Sequence, residues 1–171
     1  LLVQDDITDG AKEMIARGIA DPDRMCIVGA SYGGYAALMG AVKTPDLFQC
    51  AVSFAGVSDI GALIRHGREH YGWRDNPPNV GGLYKDGKQF RDTSPINSVD
   101  LIKVPSLLVH GDKDIVVPPE QSTRMAKKLK KEGKPQKLVM LKGGSHWILI
   151  ERNRIRFLRE LEAFLDDQIG G

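Results

Sequence analysis

Three short stretches carry side chains that could do nucleophilic chemistry together: GASYGG (29–34), HGDKDIVVPP (110–119) and KGGSHWI (142–148). The first holds Ser31 between small residues. A serine hydroxyl is a poor nucleophile alone. It needs a base to take its proton, and the base needs an acid to hold it in the useful tautomer. Asp114 and His146 supply an acid and a base, in that order along the chain. Asp112 competes as the acid, but it follows the preceding apolar run so directly that capping or shaping the loop is its simpler role. His110 ends that run and reads as a packed or hydrogen-bonded strand-end histidine. His66 and His70 precede the acid, and a metal held at this i, i+4 spacing would need a third ligand. The pattern calls for no metal and no cofactor.

These groups can meet only if the chain delivers them to one place. MCIVG (25–29), CAVSFAG (50–56), PSLLVHG (105–111) and KLVMLKG (137–143) are short apolar runs suited to strands covered on both faces. Between and around them the apolar residues fall at helical spacing. Residues 5–20 carry a stripe of Ile7, Ala11, Met14, Ile15, Gly18 and Ile19, and residues 32–43 are small and helix-forming. Residues 119–132 turn Met125, Ala126 and Leu129 inward; residues 151–168 place Ile155, Leu158, Leu161, Phe164 and Leu165 on one face. This alternation predicts an α/β domain with a mostly parallel sheet and helices on both faces. In that arrangement the runs before Ser31, Asp114 and His146 all end on the same edge.

Residues 60–98 break the rhythm. They are rich in Gly, Pro, Asn and charge, with aromatics at Tyr71, Trp73, Tyr84 and Phe90. They read as an excursion over the carboxyl ends of the strands, where α/β proteins bind ligands. The aromatics either line a substrate groove or pin the excursion to the sheet.

The GASYG sequence is a G-x-S-x-G pattern at a strand-to-helix junction. Such a turn is sharp and strained and lifts the serine Oγ above the sheet. It predicts that Gly29 and Gly33 are small because strand and helix approach closely. The following helix would aim its free N–H groups at the site, with the Tyr32 N–H donating to a developing oxyanion.

With 171 residues, 42% hydrophobic and 27% charged, the chain fits one globular domain with a sizeable core. A net charge of +2 gives no pull toward nucleic acid or an anionic membrane. The basic stretch Lys127–Lys137 reads as the solvated face and exit of a helix. No run approaches the roughly 20 apolar residues of a membrane span. No charged-then-apolar leader opens the chain. Cys26 and Cys50 lack the spacing of a C-x-x-C or zinc site and read as two small buried hydrophobes.

Together, GASYGGYAALMGAVKTPDLFQCAVSFAGVSD, SPINSVDLIKVPSLLVHGDKDIVVPPEQSTRMAKKLKKEGKP and GGSHW resemble the catalytic domain of the prolyl oligopeptidase family of serine peptidases. The branch resembled is that of acylaminoacyl-peptidase and dipeptidyl-peptidase-like members. The likeness covers nearly the whole chain. It implies an α/β-hydrolase fold, with Ser31 as nucleophile, Asp114 as acid, His146 as general base and the Tyr32 N–H as one oxyanion donor. It also implies a first specificity pocket walled by the Tyr32 ring, Val57 and Val117. Ile60 stands where some relatives carry an aromatic, which implies a shallower or less proline-selective pocket. The histidine loop departs from the family's more usual G-x-G-H-G-F.

The resemblance further implies that residues 1–171 are the second half of the catalytic domain, with the front half, the second oxyanion donor and the family's β-propeller outside the chain. The MCIVG strand would then have a bare edge, which invites self-association. Three readings follow. The first is a peptidase cleaving short peptides through an acyl-enzyme. The second is a carboxylesterase on the same scaffold, separable by rates on amides and esters. The third is a folding unit or interaction module that is inactive by itself.

Overall fold

The computed structural model describes residues 2–71 and 87–170. Four parallel strands form one sheet in the order β1-β2-β3-β4: β1 (Cys26–Ala30), β2 (Cys50–Phe54), β3 (Ser106–Gly111) and β4 (Gln136–Leu141). Consecutive strands are neighbours, so every connection is a crossover. Six helices are described: α1 (Leu2–Ala16), α2 (Tyr32–Lys43), α3 (Ile60–Tyr71), α4 (Gly87–Asp92), α5 (Glu120–Lys131) and α6 (Glu151–Ile169).

Two apolar layers sandwich the sheet. On one face Leu38, Met39 and Val42 of α2 and Met125, Ala126 and Leu129 of α5 pack with Ala51 and Leu108 of the strands. On the other face Val52, Phe54, Leu107, Val109, Val139 and Leu141 meet Phe157, Leu161, Phe164 and Leu165 of α6. Alternate residues of β2 and β3 serve opposite layers, so both strands are buried throughout. β1 is an edge of this sheet, and Val28 is 47% exposed.

Several expectations need correcting. In α6 the covered face is Phe157, Leu161, Phe164 and Leu165, while Ile155 and Leu158 are exposed. In α1 the fully buried positions are the polar Gln4 and Thr8; Ile7, Ala11 and Ile15 are half-buried, and Met14 and Ile19 are exposed. That helix ends at Ala16, and Gly18, at φ +67°, turns the chain. The reason is the same in both. A stripe fixes a helix's apolar side only when the neighbour spans its full width, and α1 lies mainly on α2, whereas α6 lies on β2, β3 and the Pro22–Arg24 turn.

The 60–98 stretch is described at its two ends. Its described parts are the helices α3 and α4 and the start of a 3-10 segment (Pro95–Leu101). They bury Ile60, Ile64, Ile96 and Val99 in the α2–α5 layer, with Phe90 packed against it. Phe90 thus pins this stretch to the body of the domain. Tyr71 is the last residue of α3; its side chain, Trp73 and Tyr84 lie outside the described residues.

Cys26 and Cys50 do not remain two separate thiols. Parallel pairing sets them side by side in register, 4.6 Å apart at Cα, and a disulfide joins them. Their spacing of 24 residues in the sequence gave no hint, because it is the strand pairing that brings them together. Replacing both by alanine is expected to cost about 3 kcal/mol, mostly from the freer unfolded chain. Urea unfolding with and without a reductant measures this, and coincident midpoints would mean that the bridge does not hold the strands.

Candidate active site

Ser31 sits between β1 and α2 with φ 55° and ψ −117°, outside the regions a side chain prefers. Two backbone bonds hold it there. Its N–H donates to the Phe54 carbonyl at 2.8 Å, and its carbonyl accepts from the Tyr35 N–H at 3.1 Å. The first turn of α2 has no side-chain cap, so its leading N–H groups point at the Ser31 region without intrahelical acceptors.

The tightness of this turn falls on Gly29, as expected, but on Gly34 rather than Gly33. A Cβ on Gly29 would lie 2.1 Å from the Gly33 carbonyl oxygen, so β1 and α2 could not approach. A Cβ on Gly33 would meet nothing within 4 Å. The crowded helical position is Gly34, where a Cβ would come within 2.8 Å of both the Gly56 Cα and the Ser53 Oγ. Gly33 therefore contributes its backbone to the close approach, and Gly34 lets α2 lie against the end of β2.

Asp114 and His146 arrive on two loops that are bonded to each other. The Lys113 N–H donates to the Gly144 carbonyl at 2.8 Å, the Asp112 N–H to the Leu141 carbonyl at 3.1 Å, and the Gly143 N–H to Asp112 Oδ1 at 2.6 Å. Asp112 thus shapes the histidine loop, and Asp114 is the aspartate that faces His146. A Cβ on Gly111 would stand 2.3 Å from the Gly144 oxygen, so the last residue of β3 must be bare for the loops to touch.

The three side chains form one line. His146 Nδ1 donates to Asp114 Oδ2 at 2.7 Å, and the Ser31 hydroxyl donates to His146 Nε2 at 3.0 Å. The carboxylate accepts the Nδ1 proton, which leaves Nε2 free to accept from serine. Asp114 and His146 are buried. Burial pushes the Asp114 carboxyl up, but hydrogen bonds from His110, His146 and the Val117 N–H outweigh it and hold the group well below the usual carboxylate range. The arrangement can move a proton from Ser31 to His146 and hold the imidazolium that results.

The remaining sequence candidates lie as follows. Tyr32 is 60% exposed beside Ser31, its ring 5.6 Å from that of Tyr35. Val117 is buried just beyond Asp114, while Val57 packs half-buried on the α2–α5 layer. Ile60 is buried in that layer too, and its N–H donates to Ser94 Oγ. The His66 and His70 rings stack 4.2 Å apart, and His70 Nδ1 donates to the His66 carbonyl. Among the described residues, no three or more His, Cys, Asp or Glu side chains group to hold a metal, and no helix is long and apolar enough to cross a membrane.

Two supporting residues were not singled out from the sequence. Gln121 Oε1 accepts from the Ser58 and Asp59 N–H groups at 2.9 and 2.7 Å, while its Nε2 donates to the Asp59 carbonyl at 3.0 Å. Ser122 meets His110 at 2.7 Å. The available signal was a Gln-Ser pair on the inward side of a helix start, polar where the stripe of α5 asks for apolar residues.

The prolyl oligopeptidase family model matches residues 3–171. Dipeptidyl aminopeptidase BIII of Pseudoxanthomonas mexicana is 28% identical over 99% of this chain and 25% of its own length. A puromycin-hydrolysing peptidase of Mycobacterium tuberculosis superposes with a TM-score of 0.86 at 30% identity, over 98% of this chain and 25% of that one. The acylaminoacyl peptidase of Pyrococcus horikoshii does so with a TM-score of 0.84 at 27% identity, over 98% and 28%. The chain spans about a quarter of the length of these relatives.

Gly29→Ala is expected to lose about 3 kcal/mol or more, since the obstacle is backbone. Gly33→Ala should be neutral or gain up to about 1 kcal/mol from helix propensity. Thermal melts of the two variants check the assignment, and equal losses would overturn it. The depressed Asp114 carboxyl gives stability that is complete above about pH 4, the ordinary carboxylate value, and that is lost as pH falls through the lower folded value. Asp114→Asn should therefore be less stable than the parent at neutral pH, with the gap closing in strong acid. Chemical unfolding across that range reads it, and a constant gap would contradict the linkage.

Proposed function

Because the chain belongs to the prolyl oligopeptidase family, we propose that it carries the reaction centre of a serine peptidase acting on short peptides by acyl transfer. The observation that supports this most is the hydrogen-bonded line from Ser31 Oγ through His146 to Asp114, above the open start of α2.

In this reading His146 Nε2 takes the Ser31 proton as Oγ attacks the peptide carbonyl. Asp114 Oδ2 holds the Nδ1–H and so keeps the imidazolium in place. Negative charge moves to the carbonyl oxygen, where the Tyr32 N–H donates to it with the positive end of α2 behind. A second donor would come from outside the chain, and losing one such donor costs on the order of 10²–10³ in rate. The tetrahedral adduct collapses as His146 returns its proton to the leaving amine. Water, activated by the same nitrogen, then releases the acyl group. The Tyr32 ring, Val57 and Val117 would bound the acyl side chain, while Ile60 is buried in the core layer.

The test is covalent labelling of the full-length protein with a fluorophosphonate probe, alongside hydrolysis of matched peptide amides and esters. Ser31→Ala should abolish labelling. His146→Ala should slow it by roughly 10⁵–10⁶-fold and Asp114→Asn by about 10⁴-fold. Labelling that survives Ser31→Ala would sink the reading. Turnover of esters without amides would replace peptidase by carboxylesterase.

A further inference from the structure

His110 has no part in the proton path just described, yet it is fully buried against it. Its side chain is 0% exposed. Burying an imidazole is unfavourable unless its nitrogens find partners. Here both do. Nδ1 lies 2.7 Å from Ser122 Oγ on α5. Nε2 lies 2.9 Å from the Val117 carbonyl and 3.2 Å from Asp114 Oδ2.

These partners fix the ring's protonation pattern. Nε2 faces two acceptors and so must carry a proton. Nδ1 then accepts from the Ser122 hydroxyl, the only one of the three partners able to donate. His110 thus presents an N–H to the same carboxylate oxygen that accepts from His146.

Asp114 is then held by four donors. Oδ1 accepts from the Val116 and Val117 N–H groups, each at 2.9 Å. Oδ2 accepts from His146 at 2.7 Å and, at 3.2 Å, shares the His110 Nε2–H with the Val117 carbonyl, which is closer at 2.9 Å. The two bonds to Oδ1 act as a pivot. They leave the carboxylate able to swing about its own axis unless Oδ2 is fixed from behind. His146 cannot fix it, because His146 is the group being oriented. Of the two bonds on Oδ2, only the one from His110 comes from a rigid source: the end of β3, anchored through Ser122 to α5. Among the described residues, His110 and His146 are the titratable groups bonded to Asp114.

We propose that His110 is a positioning residue for the acyl-transfer site: its Nε2–H locks the Asp114 carboxylate, and through it the His146 ring, at the angle that serves Ser31. This rests on the reading of Ser31, His146 and Asp114 given above. A further consequence concerns the Val117 carbonyl. By sharing its proton between Val117 and Asp114, His110 couples the turn after Asp114, which bears the proposed pocket residue, to the carboxylate's orientation.

Two amide substitutions separate this role from simple packing. Glutamine places an NH₂ near the position of Nε2 and can still reach Asp114 and Val117. Asparagine reaches only the Ser122 side. In the full-length protein, His110→Gln should keep kcat within about threefold of the parent. His110→Asn should lower kcat by roughly 10–100-fold, the scale of an ångström-sized misplacement, with KM within about twofold. The downfield NMR resonance of the His146 Nδ1 proton should persist in the glutamine variant and broaden or shift in the asparagine one.

A folded His110→Asn protein with the parent's kcat and resonance would overturn the proposal, as would equal kcat losses in both variants. Should neither fold, Ser122→Ala gives a milder probe. It removes the hydroxyl that anchors the ring to α5 and should lower kcat several-fold at constant KM; an unchanged kcat would count against the proposal. Fluorophosphonate labelling of Ser31→Ala, run in parallel, keeps the two failures apart. Labelling there would reject the site itself, whereas its absence beside a fully active His110→Asn would reject the positioning role alone.

Discussion

The parallel direction of the four strands is the constraint on which the rest depends. Each crossover returns the chain to the same starting edge, so each strand delivers its last residue to the opposite one. β1 delivers Ser31, β3 delivers Asp114 and β4 delivers His146. Residues 115 apart in sequence, Ser31 and His146, stand in hydrogen-bond contact because sheet order, not sequence distance, sets their separation. Reversing β1, β3 or β4 would send one of the three groups to the far edge.

Convergence on one edge is coarse, and finer placement comes from bare backbone and buried polar groups. Gly29 lets strand and helix touch at the serine, and Gly111 lets the aspartate and histidine loops touch at the other side. A polar layer lies beneath. Gln121 ties the end of the β2 crossover to α5, and Ser122 ties α5 to β3 through His110. Such groups stabilise the fold only when every donor and acceptor is matched, so each of them tolerates few replacements.

How far the sequence could be read follows from this division. Strands, helices and the chain order of Ser31, Asp114 and His146 were legible, because apolar periodicity and the G-x-S-x-G turn are local signals. Asp114 could be preferred over Asp112 by its distance from the strand, and Asp112 indeed bonds the loop it adjoins. What escaped was relational. The cysteines are paired by strand register. The crowding at Gly34 rather than Gly33 depends on Gly56, more than twenty residues away in the chain. The outward turn of Ile155 and Leu158 depends on where α6 crosses the sheet. His110 was legible as a satisfied strand-end histidine but not as a neighbour of Asp114, since that needs α5 and the loop after β3 in view.

β1 is an edge strand and the least buried of the four, yet it carries the serine. Two attachments to β2 bracket it: the disulfide at Cys26 and the Ser31 N–H bond to the Phe54 carbonyl. A strand fastened at both ends cannot fray residue by residue from either one. β1 and β2 therefore open together or not at all, as one cooperative unit whose loss requires breaching the core. The strained serine turn inherits the lifetime of that unit. Its amides should exchange with solvent on the slow timescale of the buried strand beside it, although the turn lies at the margin of the sheet.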